Sequence, residues 1–181
     1  MQFLSTKIPD VILVKVPKFA DHRGFFIETY HAKKFNDGGI SVKFVQDNHT
    51  KSIQNTLRGL HFQVQYPQAK LVRCLRGKVF DVAVDIRKNS PYYGQWIGKE
   101  LSEDNQYQLF IPDGFAHGIY VMSSRAQVLY KCSTYYHPQF QQSIRWDDPT
   151  LAIEWPLASQ VPISLSDKDR QAPLFQGSFS T

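Results

Sequence analysis

The sequence contains no run approaching the roughly eighteen consecutive apolar residues of a membrane-spanning helix, so no helical membrane anchor is expected. Its start, Met1-Gln2-Phe3-Leu4-Ser5-Thr6, lacks the basic and apolar blocks of a secretory signal, and a cytoplasmic location is expected. Cysteine is scarce: Cys74 and Cys132 are the only two in 181 residues. Each sits among Val and Leu in a strand-like run, which reads as a reduced core thiol and not as half of a disulfide or a metal pair. The net charge is +5, yet nowhere do four basic residues run together. A nucleic-acid binder concentrates its charge in a stripe, so no nucleic-acid partner is expected. Dispersed positive charge suits a small anionic ligand such as a phosphorylated metabolite. A glycine-rich dinucleotide fingerprint is absent, and helical periodicity is almost absent.

What the chain has is aromatics and alternation. Aromatic residues make up 14%, with 13 Phe and 9 Tyr, a composition that favours strands. Short strands are predicted over residues 11–16, 42–48, 57–63, 95–101, 107–112, 115–121, 126–134, 142–146 and 151–155. A hairpin is predicted from residues 70–75 and 79–87 around Arg76-Gly77-Lys78. In its second arm Phe80, Val82, Val84 and Ile86 share one face, and Asp81, Ala83, Asp85 and Arg87 the other. Asp21 to Tyr30 reads as a turn at Arg23-Gly24 feeding a strand that puts Phe26, Glu28 and Tyr30 on one face. A glutamate placed inward among aromatics needs a cation or a ligand hydroxyl. Residues 32–36 form one helical turn stopped by Gly38-Gly39. The tail past Val161 should run extended over the body. This many short strands, separated by frequent turn signals, imply an antiparallel all-β sandwich or barrel in one domain, residues 1–175, with 176–181 frayed.

The stretch Leu57-Arg58-Gly59-Leu60-His61-Phe62-Gln63 packs a cation, a glycine, an imidazole and a carboxamide into seven residues. Strict alternation puts Gly59, His61 and Gln63 on one face and Arg58, Leu60 and Phe62 on the other. A titratable His centred in an apolar strand is the kind of residue a buried site uses as a base. Taken alone, the pattern more often belongs to a core His held by one hydrogen bond.

The wider pattern resembles a known family. Asp21-x-Arg23-Gly24-x-Phe26-x-Glu28, Gln46-Asp47-Asn48, Leu57 to Gln63, Lys70-Leu71-Val72-Arg73, Asp81 to Arg87, Ile111-Pro112-x-Gly114-Phe115-Ala116-His117-Gly118, Tyr130-Lys131 and Ser166-x-Lys168-Asp169 are similar, in order and spacing, to the motifs of the dTDP-4-dehydrorhamnose 3,5-epimerases. The resemblance covers residues 3–175 and implies a cupin-type jelly roll and a homodimer. It also implies epimerisation at the two carbons flanking the 4-keto group of a dTDP-linked 6-deoxyhexose. That chemistry needs a base on one face, an acid on the other, and a group that stabilises the enolate oxygen. The resemblance assigns His61 as base, Asp169 as the carboxylate that orients it, Lys70 to the enolate oxygen and Tyr130 as acid. Asp81 is a second carboxylate that could share the role of Asp169. Substrate contacts are implied for Arg23, Phe26, Glu28, Gln46, Asp47, Asn48, Arg58, Lys70, His117 and Lys168, and Tyr136 is a candidate to stack on or bond the nucleotide.

No cofactor and no metal are expected. A metal-binding cupin presents two His separated by one residue, a Glu soon after and a third His on a later strand, whereas His61 is followed by Phe62-Gln63. The loop from Val64 to Ala69 is about one residue shorter than in some members of the family, and Gln141 stands where an acidic substrate contact occurs in others. Single-centre epimerases share similar motifs and stay open as an alternative at this stage. The resemblance also requires Arg58 and His61 near one ligand, which alternation forbids. A bulge or kink is therefore expected at Gly59, where it costs least.

Overall fold

The computed structural model describes residues 1–158 and 161–175; the expected frayed segment 176–181 lies outside them. Two antiparallel sheets face each other as a sandwich of the jelly-roll type, with two small helices. The first sheet holds β1 (Gln2–Ser5), β2 (Ile12–Lys15), β10 (Gln108–Ile111), β7 (Lys70–Arg76), β12 (Arg125–Cys132) and β5 (Gln46–Ile53), in that order. The second holds β13 (Gln141–Ser143), β6 (Leu57–Gln63), β11 (Phe115–Val121), β8 (Lys78–Asp85) and β9 (Trp96–Ser102). A separate hairpin pairs β3 (Phe19–Asp21) with β4 (Gly24–Phe26), and the helices are α1 (Ala32–Asp37) and α2 (Asp167–Arg170). No helix among the described residues is long and apolar enough to cross a membrane.

Apolar faces follow the alternation of the strands. Val72, Cys74, Val79, Ala83, Leu109, Ile111, Ile119 and Val128 point between the sheets and fill one part of the interior. Val82 and Val84 point the other way, joining Leu57, Leu60, Phe62, Ile144, Leu151 and Trp155 in a second cluster. A third, around Val14, Phe35, Ile40, Leu71 and Phe110, seats α1 on the outer face of the first sheet. The cysteines are buried and free, and burial pushes the Cys74 thiol up to about 11.

The predicted hairpin at Arg76-Gly77-Lys78 does not form: β7 pairs with β10 and β12, and β8 with β11 and β9, so the chain changes sheet at Gly77. Gly77 has φ +77°, and a Cβ there would lie 2.1 Å from the Arg125 carbonyl. Only glycine turns this corner, and in a sequence the corner looks like a hairpin turn. The expected strand 42–48 is displaced to Gln46–Ile53, because Val42 and Phe44 pack irregularly against the third cluster. Residues 27–30 continue no strand, leaving β3–β4 a short exposed hairpin. Residues 151–155 are irregular rather than a strand: Ala152 sits at φ +44°, and Leu151 and Trp155 serve as side-chain plugs on the second sheet. The tail is extended only in part, since it coils into α2, capped by the Ser166 hydroxyl accepting from the Asp169 N–H.

Candidate active site

Between the sheets opens a cleft of about 340 Å³. The first sheet supplies Gln46 and Asn48 from β5, Lys70 from β7 and Tyr130 from β12, while the second supplies His61, Phe62 and Gln63 from β6 and Gln141 from β13; Gln68 and Tyr136 come from loops. The half-buried face of β5 is polar (Gln46, Asn48, Thr50, Ser52), its first two residues lining this opening, and that polarity hides the strand from a hydrophobicity-based reading.

His61 Nε2 meets Asp169 Oδ1 at 2.5 Å, with the carboxylate buried on α2. Burial pushes the Asp169 carboxyl up. The hydrogen bond and charge of His61, with help from Ser166 and the Gly59 N–H, outweigh that and hold it below the ordinary carboxylate value. With Nε2 committed, Nδ1 is the ring nitrogen left free. The carboxylate that bonds His61 is Asp169, whereas Asp81 bonds His117 Nε2 at 3.0 Å. That second pair is buried: His117 lies directly across from His61 on β6 and reaches Asp81 on its other neighbour, β8, where its own partner is Ala83. Burial lowers the His117 imidazole below its ordinary value, against the opposing pull of Asp81.

Lys70 is only 8% exposed and forms no ion pair with any described residue. Burial depresses its ammonium below the ordinary lysine value, while Cys132 and Asp81 act in the opposite sense. Burial likewise raises the Tyr130 phenol, so it holds its proton at rest; its ring stands edge-on to His117 at 6.5 Å between centroids. Tyr136 is fixed by its N–H donating to Gln46 Oε1 at 3.0 Å and by its hydroxyl donating to Gln141 Oε1.

Gly59 carries the irregularity expected of it. Between the pairs His117↔His61 and Ile119↔Arg58 the ladder slips, β6 spending three steps where β11 spends two. Gly59 has φ +123°, and a Cβ on it would lie 2.6 Å from Gly118 Cα. The extra residue puts the exposed Arg58 side chain on the face toward the first sheet, so that its Nε donates to Ser52 Oγ on β5 at 3.1 Å and its charge acts on Tyr130.

Of the residues anticipated from sequence, His61, Lys70, Tyr130, Gln46, Asn48 and Tyr136 line the cleft. Asp169 stands behind His61, and His117 and Arg58 stand beside it. Others do not converge. Asp47 points outward, because alternation along β5 sends it opposite to Gln46 and Asn48, and it pairs with Lys131 at 3.0 Å. Lys168 is on the exposed side of the helix that turns Asp169 inward. Arg23 and Phe26 belong to the exposed β3–β4 hairpin, where Arg23 pairs with Asp21. Glu28 is not in an inward strand face; it pairs with Lys34 at 2.7 Å. Phe62, Gln63 and Gln68 line the cleft without having been singled out. Gln63 was legible, lying two residues beyond His61 on the same strand face, but Gln68 sits in a loop with no periodicity to orient it. Among the described residues no three His, Cys, Asp or Glu side chains converge to hold a metal ion.

The profile of the family described as dTDP-4-dehydrorhamnose 3,5-epimerase matches residues 5–177. The dTDP-4-dehydrorhamnose 3,5-epimerase of Salmonella typhimurium is 52% identical, with 100% of this chain and 99% of that protein covered. The enzyme of the same name from Pseudomonas aeruginosa is 50% identical over 97% of this chain and 96% of its own. A crystal structure of the dTDP-6-deoxy-D-glucose-3,5-epimerase of Legionella pneumophila in complex with dTDP-4-keto-L-rhamnose superposes with a TM-score of 0.92. It is 49% identical, covering 96% of this chain and 92% of that one.

Proposed function

The chain belongs to the dTDP-4-dehydrorhamnose 3,5-epimerase family of isomerases acting on nucleotide sugars, and on that premise we propose which of its groups carry the reaction. The substrate is dTDP-4-dehydro-6-deoxy-D-glucose and the product dTDP-4-dehydro-L-rhamnose. Protons on carbons 3 and 5 are acidified by the neighbouring 4-keto group. His61 Nδ1 removes them, and Asp169 steadies the imidazolium that forms. Lys70 offers its ammonium to the enolate oxygen in a dry setting, where such stabilisation is worth most. Tyr130 delivers a proton from the opposite side, inverting the centre. Arg58, turned toward the first sheet by the Gly59 bulge, takes the diphosphate, and Tyr136 the nucleotide end. The observation that carries this reading is the placement of base and acid on opposite sheets of one cleft, His61 on β6 and Tyr130 on β12, with a buried unpaired lysine beside them.

The test is incubation with the substrate in deuterated water followed by NMR. Deuterium at both carbons is expected. Label at one carbon identifies a single-centre epimerase, and no label refutes the assignment.

A homodimer forms part of the proposal. Phe19, Phe25 and Phe26 are each more than half exposed on one hairpin, an apolar surface that calls for cover. Arg23 and Phe26 do not reach the cleft that holds His61 within their own chain, so their role requires the hairpin to enter the site of a second copy. Sedimentation should give twice the chain mass; a monomer that turns over substrate normally would refute this.

A further inference from the structure

Gln63 is buried at 6% exposure, and it spends its carboxamide on two loops at once. Nε2 donates to the Tyr66 carbonyl at 2.7 Å and to the Tyr135 carbonyl at 3.4 Å, while Oε1 accepts from the His137 N–H at 2.7 Å. The first loop, residues 64–69, brings Gln68 to the cleft; the second, residues 133–137, brings Tyr136. The loops are also stitched to each other. Gln68 Nε2 donates to the Thr134 carbonyl at 2.9 Å, and Thr134 Oγ1 donates to the Tyr66 and Pro67 carbonyls. Tyr66 is held at φ +53°, a conformation that a bulky side chain adopts at a cost, and its ring packs on His137 and Phe140.

These contacts differ in what they join. The Thr134 and Gln68 bonds tie loop to loop. Two of the three Gln63 bonds, those with Tyr135 and His137, tie the second loop to β6, two residues from His61 and on the same face, and the third ties the first loop there through Tyr66. Deleting them leaves the seam between the loops closed and keeps the Val64–Phe140 bond and the β6–β13 ladder, but removes the side-chain links that seat Tyr135 and His137 against β6.

We propose that Gln63 is a positioning residue that sets the distance between the His61 end of the cleft and the wall formed by Tyr136. It governs how tightly the nucleotide end is held, not how fast the bound sugar reacts. This deepens the substrate placement proposed above and rests on it: Tyr136 must face the nucleotide.

The experiment compares the wild-type protein with Gln63→Glu, a near-isosteric change that removes both donors and keeps an acceptor for His137. Steady-state turnover of the keto-sugar nucleotide and competitive inhibition by dTDP are measured. The expected result is a KM and a dTDP inhibition constant raised about tenfold or more, with kcat within about threefold of wild type. A purely structural role would lower the active fraction, and so the apparent kcat, and leave KM and dTDP affinity alone; that result overturns the proposal, as does no change at all. Gln63→Met, which introduces no buried charge, replaces the Glu variant if the latter fails to fold, with the same outcomes expected. If wild-type protein itself fails to turn over the substrate, the function reading fails; if it turns over and the variants keep their KM, the Gln63 inference alone fails.

Discussion

Replacing Lys70 by Met should make the protein more stable and nearly inactive. Lys70 is 8% exposed, lies where the ends of β7 and β12 pair, and has no carboxylate within ion-pairing distance among the described residues. A buried charge without a direct partner is a liability, and exchanging buried charge for apolar groups of similar volume commonly stabilises by about 1–4 kcal/mol. Asp81 is near enough to act on Lys70 electrostatically, which offsets part of the burial cost and places the expected gain at about 2 kcal/mol. For a chain of this size that corresponds to a rise of about 4–8 °C in Tm. The pH dependence has a definite sign. Burial depresses the folded Lys70 value below the ordinary 10.5, so at lower pH both states carry the charge and the folded state bears the full cost. As pH rises through the folded value toward 10.5, only the unfolded chain keeps its proton, and the advantage of the Met variant shrinks. Thermal melts of the unliganded protein at pH 7 and pH 10, paired with turnover assays, measure both effects. Removing a single oxyanion-stabilising group should lower kcat by about 10²–10³. A Met variant that melts below wild type, or one that retains kcat within tenfold, would refute the reasoning.

Asp169→Asn should lower kcat by on the order of 10²–10⁴ with KM little changed, because the imidazolium loses its counter-charge. The same variant should flatten acid unfolding. The Asp169 carboxyl titrates below its ordinary 3.8 in the folded state, so its stabilising contribution is present above 3.8 and lost as pH falls through the lower folded value; melts between pH 5 and pH 2 read this. Tyr130→Phe should separate exchange from inversion: His61 still removes a proton and returns deuterium to the same face, so NMR should find label with retained configuration while epimerisation falls about 10²-fold or more. Loss of substrate binding alone would show that the acid is another group. Gly59→Ala should destabilise by about 3 kcal/mol or more, since the Cβ meets the Gly118 and His117 backbone and φ lies at +123°; a melt unchanged within 2 °C would contradict the need for glycine there.

Strand identity was legible where apolar and polar residues alternate, as in β8 and β12, because the two faces of a strand meet different surroundings. It failed where function replaced hydrophobicity. The half-buried face of β5 is Gln46, Asn48, Thr50 and Ser52, its first two residues lining the cleft, so the apolar run just before it attracted the assignment. Leu151 to Trp155 failed for the opposite reason: its apolar residues are plugs on an irregular segment, and spacing alone does not distinguish a plug from a strand. The site residues divide in the same way. His61, Lys70 and Tyr130 lie on strands whose alternation orients them, whereas Asp47 and Lys168 each adjoin a residue that does point inward, and motif membership does not tell neighbours apart.

The Gly59 bulge joins the two ends of this reasoning. In a regular strand the side chains of Arg58 and His61 would leave by opposite faces, and a base and a phosphate ligand could not serve one substrate from a single seven-residue strand. One extra residue, at the position where a Cβ would strike the neighbouring backbone, reverses Arg58 while the register on both sides survives: Leu57 still faces Tyr120 and His61 still faces His117. The same glycine donates its N–H to Asp169, so the irregularity that turns the cation toward the first sheet also helps hold the carboxylate ionised behind the base. A residue at Gly59 that restored regular pairing would therefore weaken both ends of the site together: KM through Arg58, and kcat through the Asp169–His61 pair.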